Sequence, residues 1–126
     1  MLERHIAKLL YFTGAVTVTP LLQFFLPALS LQLNGMALAD DTGLLFARHW
    51  GLMAACFGAL LIHAARNAAV RRPIMLAALV EKLGLVALIV MGWNTPALAG
   101  MHVAAFFDGA CVLLYGAYLL QPQAKA

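Results

Sequence analysis

Apolar residues fill four long stretches of this chain, and polar or charged residues mark the breaks between them. The stretches cover about residues 6–29, 44–65, 73–93 and 101–120. Each reaches the roughly 20 residues that a helix needs to cross a bilayer core of about 30 Å. None alternates with period two, and all are too long for strands, so a β-barrel is excluded. The pattern predicts an all-α integral membrane protein, a four-transmembrane-helix bundle forming one domain over residues 1–126.

The breaks refine the picture. Proline lacks a backbone donor, so the first helix is expected to kink near Pro20 and to end around Pro27. The amphipathic stretch "SLQLNGMALADDTG" follows and is expected to lie along the outer interface, with Asn34-Gly35 and Asp41-Thr42-Gly43 as turn signals. Asp41 or Thr42 is placed to cap the second helix. After "RNAAVRR", Pro73 fits the first turn of the third. Trp50 and Trp93 fall near the outer boundary, where indoles favour the headgroup region, and Tyr118 does the same at the inner end. The N-terminal segment also carries features of a cleavable signal, with "MALA" ahead of Asp40. Its apolar stretch exceeds the usual h-region, so it is read as a retained helix.

Composition agrees with this reading: 64% of residues are hydrophobic and 10% charged, far from the balance of a soluble domain. The net charge of +3 matters less than its distribution. Arg4 and Lys8 precede the first run, Arg66, Arg71 and Arg72 fill the middle connection, and Lys125 lies near the C-terminus. The other two connections carry Asp40 and Asp41 but no Lys or Arg. By the positive-inside rule, both termini are expected to face the cytoplasm (N-in/C-in). Such basicity is a topology signature, so the bilayer is the expected partner and nucleic acid is not. Cys56 and Cys111 sit inside apolar runs without zinc-ligand spacing. No nucleophilic triad, HExxH, P-loop or GxGxxG occurs, so no catalytic residue or metal ligand is assigned.

Small residues recur every four positions at Ala47, Gly51, Ala55 and Ala59, and Ala105, Gly109 and Gly116 form a comparable row. Such rows let helices approach closely in lipid, although general alanine richness produces them too.

The candidate chemistry lies in the charges inside the runs. "LAALVEKLGLVALIVMGW" carries Glu81 and Lys82 in its centre. A charge at mid-membrane costs about 2.5–3.5 kcal/mol on insertion scales, so such residues face the bundle interior and find partners. Counting helical rise puts Glu81 roughly 11 Å from the inner end of its run and Asp108 roughly 10 Å from the outer end of its own. The long Lys82 side chain spans much of the remaining gap of about 9 Å, which suggests a Lys82–Asp108 pair. Arg48 is within reach of Asp108 from the outer side. Glu81, about 100° around the helix from Lys82, falls at the edge of the packed face beside Gly84 and Ala77. Arg48, Glu81, Lys82 and Asp108 thus form a predicted buried polar cluster. It reads as an ionic latch that sets helix register, or as a titrating or ligand-binding pocket. A third reading has Lys82 snorkelling to the inner surface.

His49, Cys56 and His63 share one stripe, and the step between the histidines spans about 21 Å. His102 lies at the level of His49, and His5 at that of His63. Two histidines at one level can ligate a haem b, and equally can be simple interfacial residues. Asp108, Cys111, Tyr115 and Tyr118 share a further stripe, read as packing rather than a quinone site.

"FFLPALSLQLNGMALADDTGLLFARHWGLMAACFGALLIHAARN" followed by "RRPIMLAALVEKLGLVALIV" resembles small bacterial four-helix membrane proteins of the DoxX-like type and neighbouring families. The resemblance covers residues 24–92. It rests on the proline-ended first helix, the amphipathic stretch, the Arg48-His49-Trp50-Gly51 turn, the small-residue second helix and the basic inner loop. It implies a four-helix bundle in the bacterial inner membrane, with quinone-linked sulfur oxidation in some members. Glu81, Lys82 and Asp108 match no motif of that type. Small multidrug transporters have similar length and helix number but place their glutamate in the first helix, which here has no acid past Glu3. The expected function is therefore a non-catalytic module: an accessory subunit, a homo-oligomer or membrane-complex partner, or a binder of a lipophilic ligand. The alternatives are a redox protein using haem b or quinone through His49, His63 and His102, and a proton-coupled transporter centred on Glu81 and Asp108.

Overall fold

The computed structural model describes residues 2–122, and Lys125 lies outside them. Six α-helices follow in order: α1 Leu2–Val18, α2 Leu21–Phe25, α3 Pro27–Leu33, α4 Asp41–Arg66, α5 Ala68–Met91 and α6 His102–Leu119. A 3-10 turn, Pro96–Met101, leads into α6, and no strand occurs among the described residues. Four segments are long and apolar enough to cross a membrane: Arg4–Phe25, Asp41–Arg66, Ala68–Met91 and Pro96–Leu119.

The first run is broken twice rather than kinked once. The α-helix stops at Val18, one residue before Thr19-Pro20, and resumes for the single turn α2. Pro27 does not end a helix; it opens α3 at a position where its missing N–H is no loss. The stretch expected to lie loosely along the interface is thus partly helical, with Pro27, Ser30 and Leu31 buried. Gly35, at φ 69°, closes α3. The Met36 N–H donates to the Leu31 carbonyl at 2.8 Å and the Gly35 N–H to that of Gln32 at 3.0 Å, a Schellman arrangement that requires the left-handed residue.

Asp40, not Asp41 or Thr42, caps α4: its Oδ1 accepts from the Gly43 N–H at 2.7 Å. The third long helix begins five residues earlier than the proline suggested. Asn67, the single residue between α4 and α5, accepts from the Ala69 N–H at 3.1 Å and starts α5 at once, leaving Pro73 inside the helix. Arg71 and Arg72 reinforce this. Arg71 donates to the carbonyls of Ala64 at 3.1 Å and Ala65 at 3.3 Å. Arg72 donates to those of Leu119 at 2.5 Å and Gln121 at 3.4 Å. Both guanidinium groups therefore satisfy open carbonyls at the C-terminal ends of α4 and α6, where helix dipoles favour cations. Arg66 donates to the Tyr11 hydroxyl at 2.9 Å and joins the same end of the bundle to α1.

The long helices alternate in direction, α1 against α4, α4 against α5, and α5 against α6. Glycine sets the α1–α4 contact. A Cβ on Gly58 would stand 2.6 Å from the Val18 nitrogen and 2.7 Å from the Gly14 carbonyl oxygen, and one on Gly51 would stand 2.5 Å from the Pro20 carbonyl oxygen. Of the small-residue row on this helix, Gly51 and Ala55 are buried while Ala59 is exposed; Ala54, Gly58 and Ala65 complete the packed face. The comparable row on α6 does not mediate close approach. A Cβ on Gly109 would meet nothing within 4 Å, and one on Gly116 would make an ordinary 3.7 Å contact with Leu79.

Ile6, Leu10, Leu61, Met75, Ala78, Cys111, Tyr115 and Tyr118 form one packed core, all toward the end that carries the arginines. The opposite half is hollow. Because Gly58 faces backbone atoms that cannot rotate away, Gly58→Ala is expected to destabilise the bundle by about 1–3 kcal/mol, the usual cost of overpacking. Gly109→Ala, in open space, should be neutral or stabilising by up to about 1 kcal/mol through helix propensity. Denaturant titration of both variants in detergent micelles checks the contrast.

Candidate functional site

Where the hollow half meets the packed half, α5 and α6 carry a buried ion pair. The Lys82 ammonium donates to Asp108 Oδ1 at 2.5 Å, and the two residues retain 2% and 6% exposure. A pair this enclosed needs close geometry to offset the lost hydration of both charges. Lys82 Nζ also stands 5.5 Å from the centre of the Phe107 ring, a cation–π distance.

The pair forms part of the wall of a cavity of about 430 Å³. Val16, Thr17, Thr19 and Pro20 border it at the first break, Gln23 and Ser30 from α2 and α3, and Trp50 and Ala54 from α4. Glu81, Lys82 and Leu85 come from α5, and Val103, Ala104, Phe107 and Asp108 from α6. A nearly wholly apolar cavity of about 270 Å³ adjoins it, sharing Gln23, Met36, Trp50, Leu85 and Met101. Asn34, at the end of α3, touches Gly100 at the border of the larger cavity: any Cβ on Gly100 would collide with the Asn34 carbonyl.

The first run supplies polar support that its apolar character concealed. Thr17 donates to the Thr13 carbonyl at 2.7 Å, and the Thr13 hydroxyl shares a 2.5 Å hydrogen bond with the Tyr115 hydroxyl, tying α1 to α6 just below the ion pair. Gln23 Nε2 donates to the Ala47 carbonyl at 2.7 Å, bridging α2 and α4 where Gly51 permits close approach. The four-residue spacing of Thr13 and Thr17 was the available signal for a polar inner face, whereas Gln23 reaches it only through the break at Thr19-Pro20.

The other predicted site residues have different surroundings. Glu81 is half-buried at the cavity wall, flanked by exposed Ala77 and Gly84. Arg48 is not brought into the cluster; it is exposed and makes no ion pair among the described residues. His5, His49 and His63 are exposed. His102 stacks on Trp93 with ring centroids 3.7 Å apart, and its Nε2–H donates to the Trp93 carbonyl at 3.1 Å. No three His, Cys, Asp or Glu residues converge on a metal-sized site among the described residues. Trp50, expected at the boundary, faces both cavities instead. Cys111 is buried and Cys56 exposed.

No protein-family model, curated protein or solved structure matches this chain. The site is a largely apolar cavity with one ion pair and one further carboxyl group in its wall.

Removing one member of the pair leaves the other charge buried and alone, at a cost of about 3–5 kcal/mol. Lys82→Met and Asp108→Asn should each destabilise by that order, while the double variant should recover much of the loss. A double-mutant cycle by chemical denaturation measures the coupling. Simple additivity of the single effects would show that the ion pair does not hold α5 to α6.

Proposed function

We propose that this protein is a four-span integral membrane protein that binds a small lipophilic ligand in the cavity beside Lys82 and Asp108. The membrane reading is supported by the outer surface: Phe46, Leu88, Val103 and Leu113 are 65–77% exposed on the long helices. Apolar side chains in such number do not face water in a soluble monomer. Arg4, Lys8, Arg66, Arg71 and Arg72 stand at one end of the bundle, and Asp40 and Asp41 at the other with Arg48 as the one arginine or lysine near them among the described residues. This bias supports an N-in/C-in orientation in the bacterial inner membrane. The resemblance of residues 24–92 to DoxX-like proteins is consistent with the same architecture.

The cavity carries the functional reading. Ligand sites are typically clefts of about 300–1,000 Å³ with mostly apolar walls and few convergent polar groups. The 430 Å³ cavity fits that description, with Trp50, Leu85 and Phe107 as apolar surface and the Lys82–Asp108 pair as the polar anchor. Nothing in this arrangement supplies a nucleophile with an adjacent base, so binding is proposed rather than catalysis.

Protein extracted into lipid nanodiscs and sprayed under native conditions should carry a small-molecule adduct. Ala104→Phe, which fills the cavity from a half-buried wall position, should lack it at unchanged thermal stability. Equal adduct on both proteins would place the ligand elsewhere. Reporter fusions at the two termini test the orientation, and periplasmic activity at either one would overturn it.

A further inference from the structure

The charges in the cavity wall do not balance, and the imbalance names a ligand class. Glu81, Lys82 and Asp108 are the only charged residues bordering the cavity among those described: two carboxylates against one ammonium. Lys82 is committed to Asp108 Oδ1. Asp108 Oδ2 and both oxygens of Glu81 have no hydrogen-bond partner among the described residues, and they keep accessible surface on residues that border the cavity. No second Lys, Arg or His borders the cavity to offset Glu81. Trp50 and Phe107 are the aromatic residues of the cavity wall.

Resting on the reading of this cavity as a ligand site, we infer that its ligand is a lipophilic cation, an amphiphile with a protonated amine or quaternary ammonium headgroup. The headgroup sits between Glu81 and Asp108 Oδ2, and the apolar part lies along Trp50, Leu85 and Phe107. A cationic headgroup favours the ionised form of Glu81, which an anionic ligand would oppose by repulsion in the same low-dielectric space and a neutral ligand would not assist.

The test uses Trp50 as reporter, with Trp93→Phe removing the other indole, in nanodiscs of phosphatidylcholine. Terminally brominated decylammonium, decanol and decyl sulfate share one chain and differ in headgroup charge, and bromine quenches an indole it touches. After correction for partitioning into protein-free nanodiscs, the ammonium should bind about tenfold or more tightly than the alcohol, with the sulfate weakest. Glu81→Gln, isosteric and at a position without hydrogen bonds, should bring ammonium and alcohol within about threefold of one another. Ala104→Phe should abolish quenching by all three. Equal binding of ammonium and alcohol, both lost in Ala104→Phe, would overturn the cation preference and leave the ligand site standing. Quenching by none of the three, or quenching indifferent to Ala104→Phe, would overturn both.

Discussion

The Lys82–Asp108 ion pair divides this bundle in two. It joins the centres of α5 and α6 at a level where neither charge can reach bulk water, so the two helices must present these residues to one another. Below it lies the dense core around Leu10, Leu61, Met75 and Tyr115; above it the helices part around two cavities. A buried pair is a poor source of net stability but a stringent condition on geometry, because one residue of register shift would strand two charges. The pair thus fixes both the register of α5 against α6 and the floor of the cavity.

The two halves of the bundle are assembled by different physics. α4 meets α1 through Gly14 and Gly58, and meets Pro20 and α2 at Gly51, where backbone approaches backbone and dispersion and carbonyl contacts supply the attraction. α5 and α6 have no equivalent glycine seam and meet through polar links, the ion pair in the middle and Arg72 on the α6 carbonyls at the end. In the bilayer proposed here, lipid tails are as apolar as leucine, so specific contacts of these kinds must hold the helices together. Arg66 on the Tyr11 hydroxyl adds to the α1–α4 contact, while Arg71 on the Ala64 carbonyl and the Thr13–Tyr115 bond couple one half to the other.

The cavity follows from the broken first span. An unbroken helix over residues 6–29 would have packed along α4 for its whole length and filled the space above the ion pair. Thr19-Pro20 and Leu26 instead turn the chain twice. This places Gln23 and Ser30 at the inner side and carries Asn34 across to Gly100 at the cavity border. The breaks also bring the carbonyl end of α1 to the cavity wall. Backbone irregularity at this depth is tolerated where it borders a cavity rather than lipid.

How much of this was legible in the residues depended on whether the governing physics was local. The long helices follow from apolar run length, and the break at Pro20 from the chemistry of proline, both properties of a few neighbouring residues. Counting helical rise put Lys82 and Asp108 within reach of each other, because depth in a straight helix is local arithmetic. The third span starts ahead of Pro73 because the Asn67 cap, and arginines bonded to other helices, outweigh that proline's local preference, while Pro27, expected to end the first helix, opens α3. Arg48 could not be separated from the cluster by depth alone, since its direction around α4 depends on which neighbour α4 packs against. The α6 row of small residues was indistinguishable from the α4 row until the partners were in place. The sequence by itself determined the helices, their lengths and the charge bias, since each is a sum over adjacent residues. Tertiary structure decided which polar residues share a cavity and which face outward, because that depends on helix rotation, set by contacts between residues as far apart as Thr13 and Tyr115.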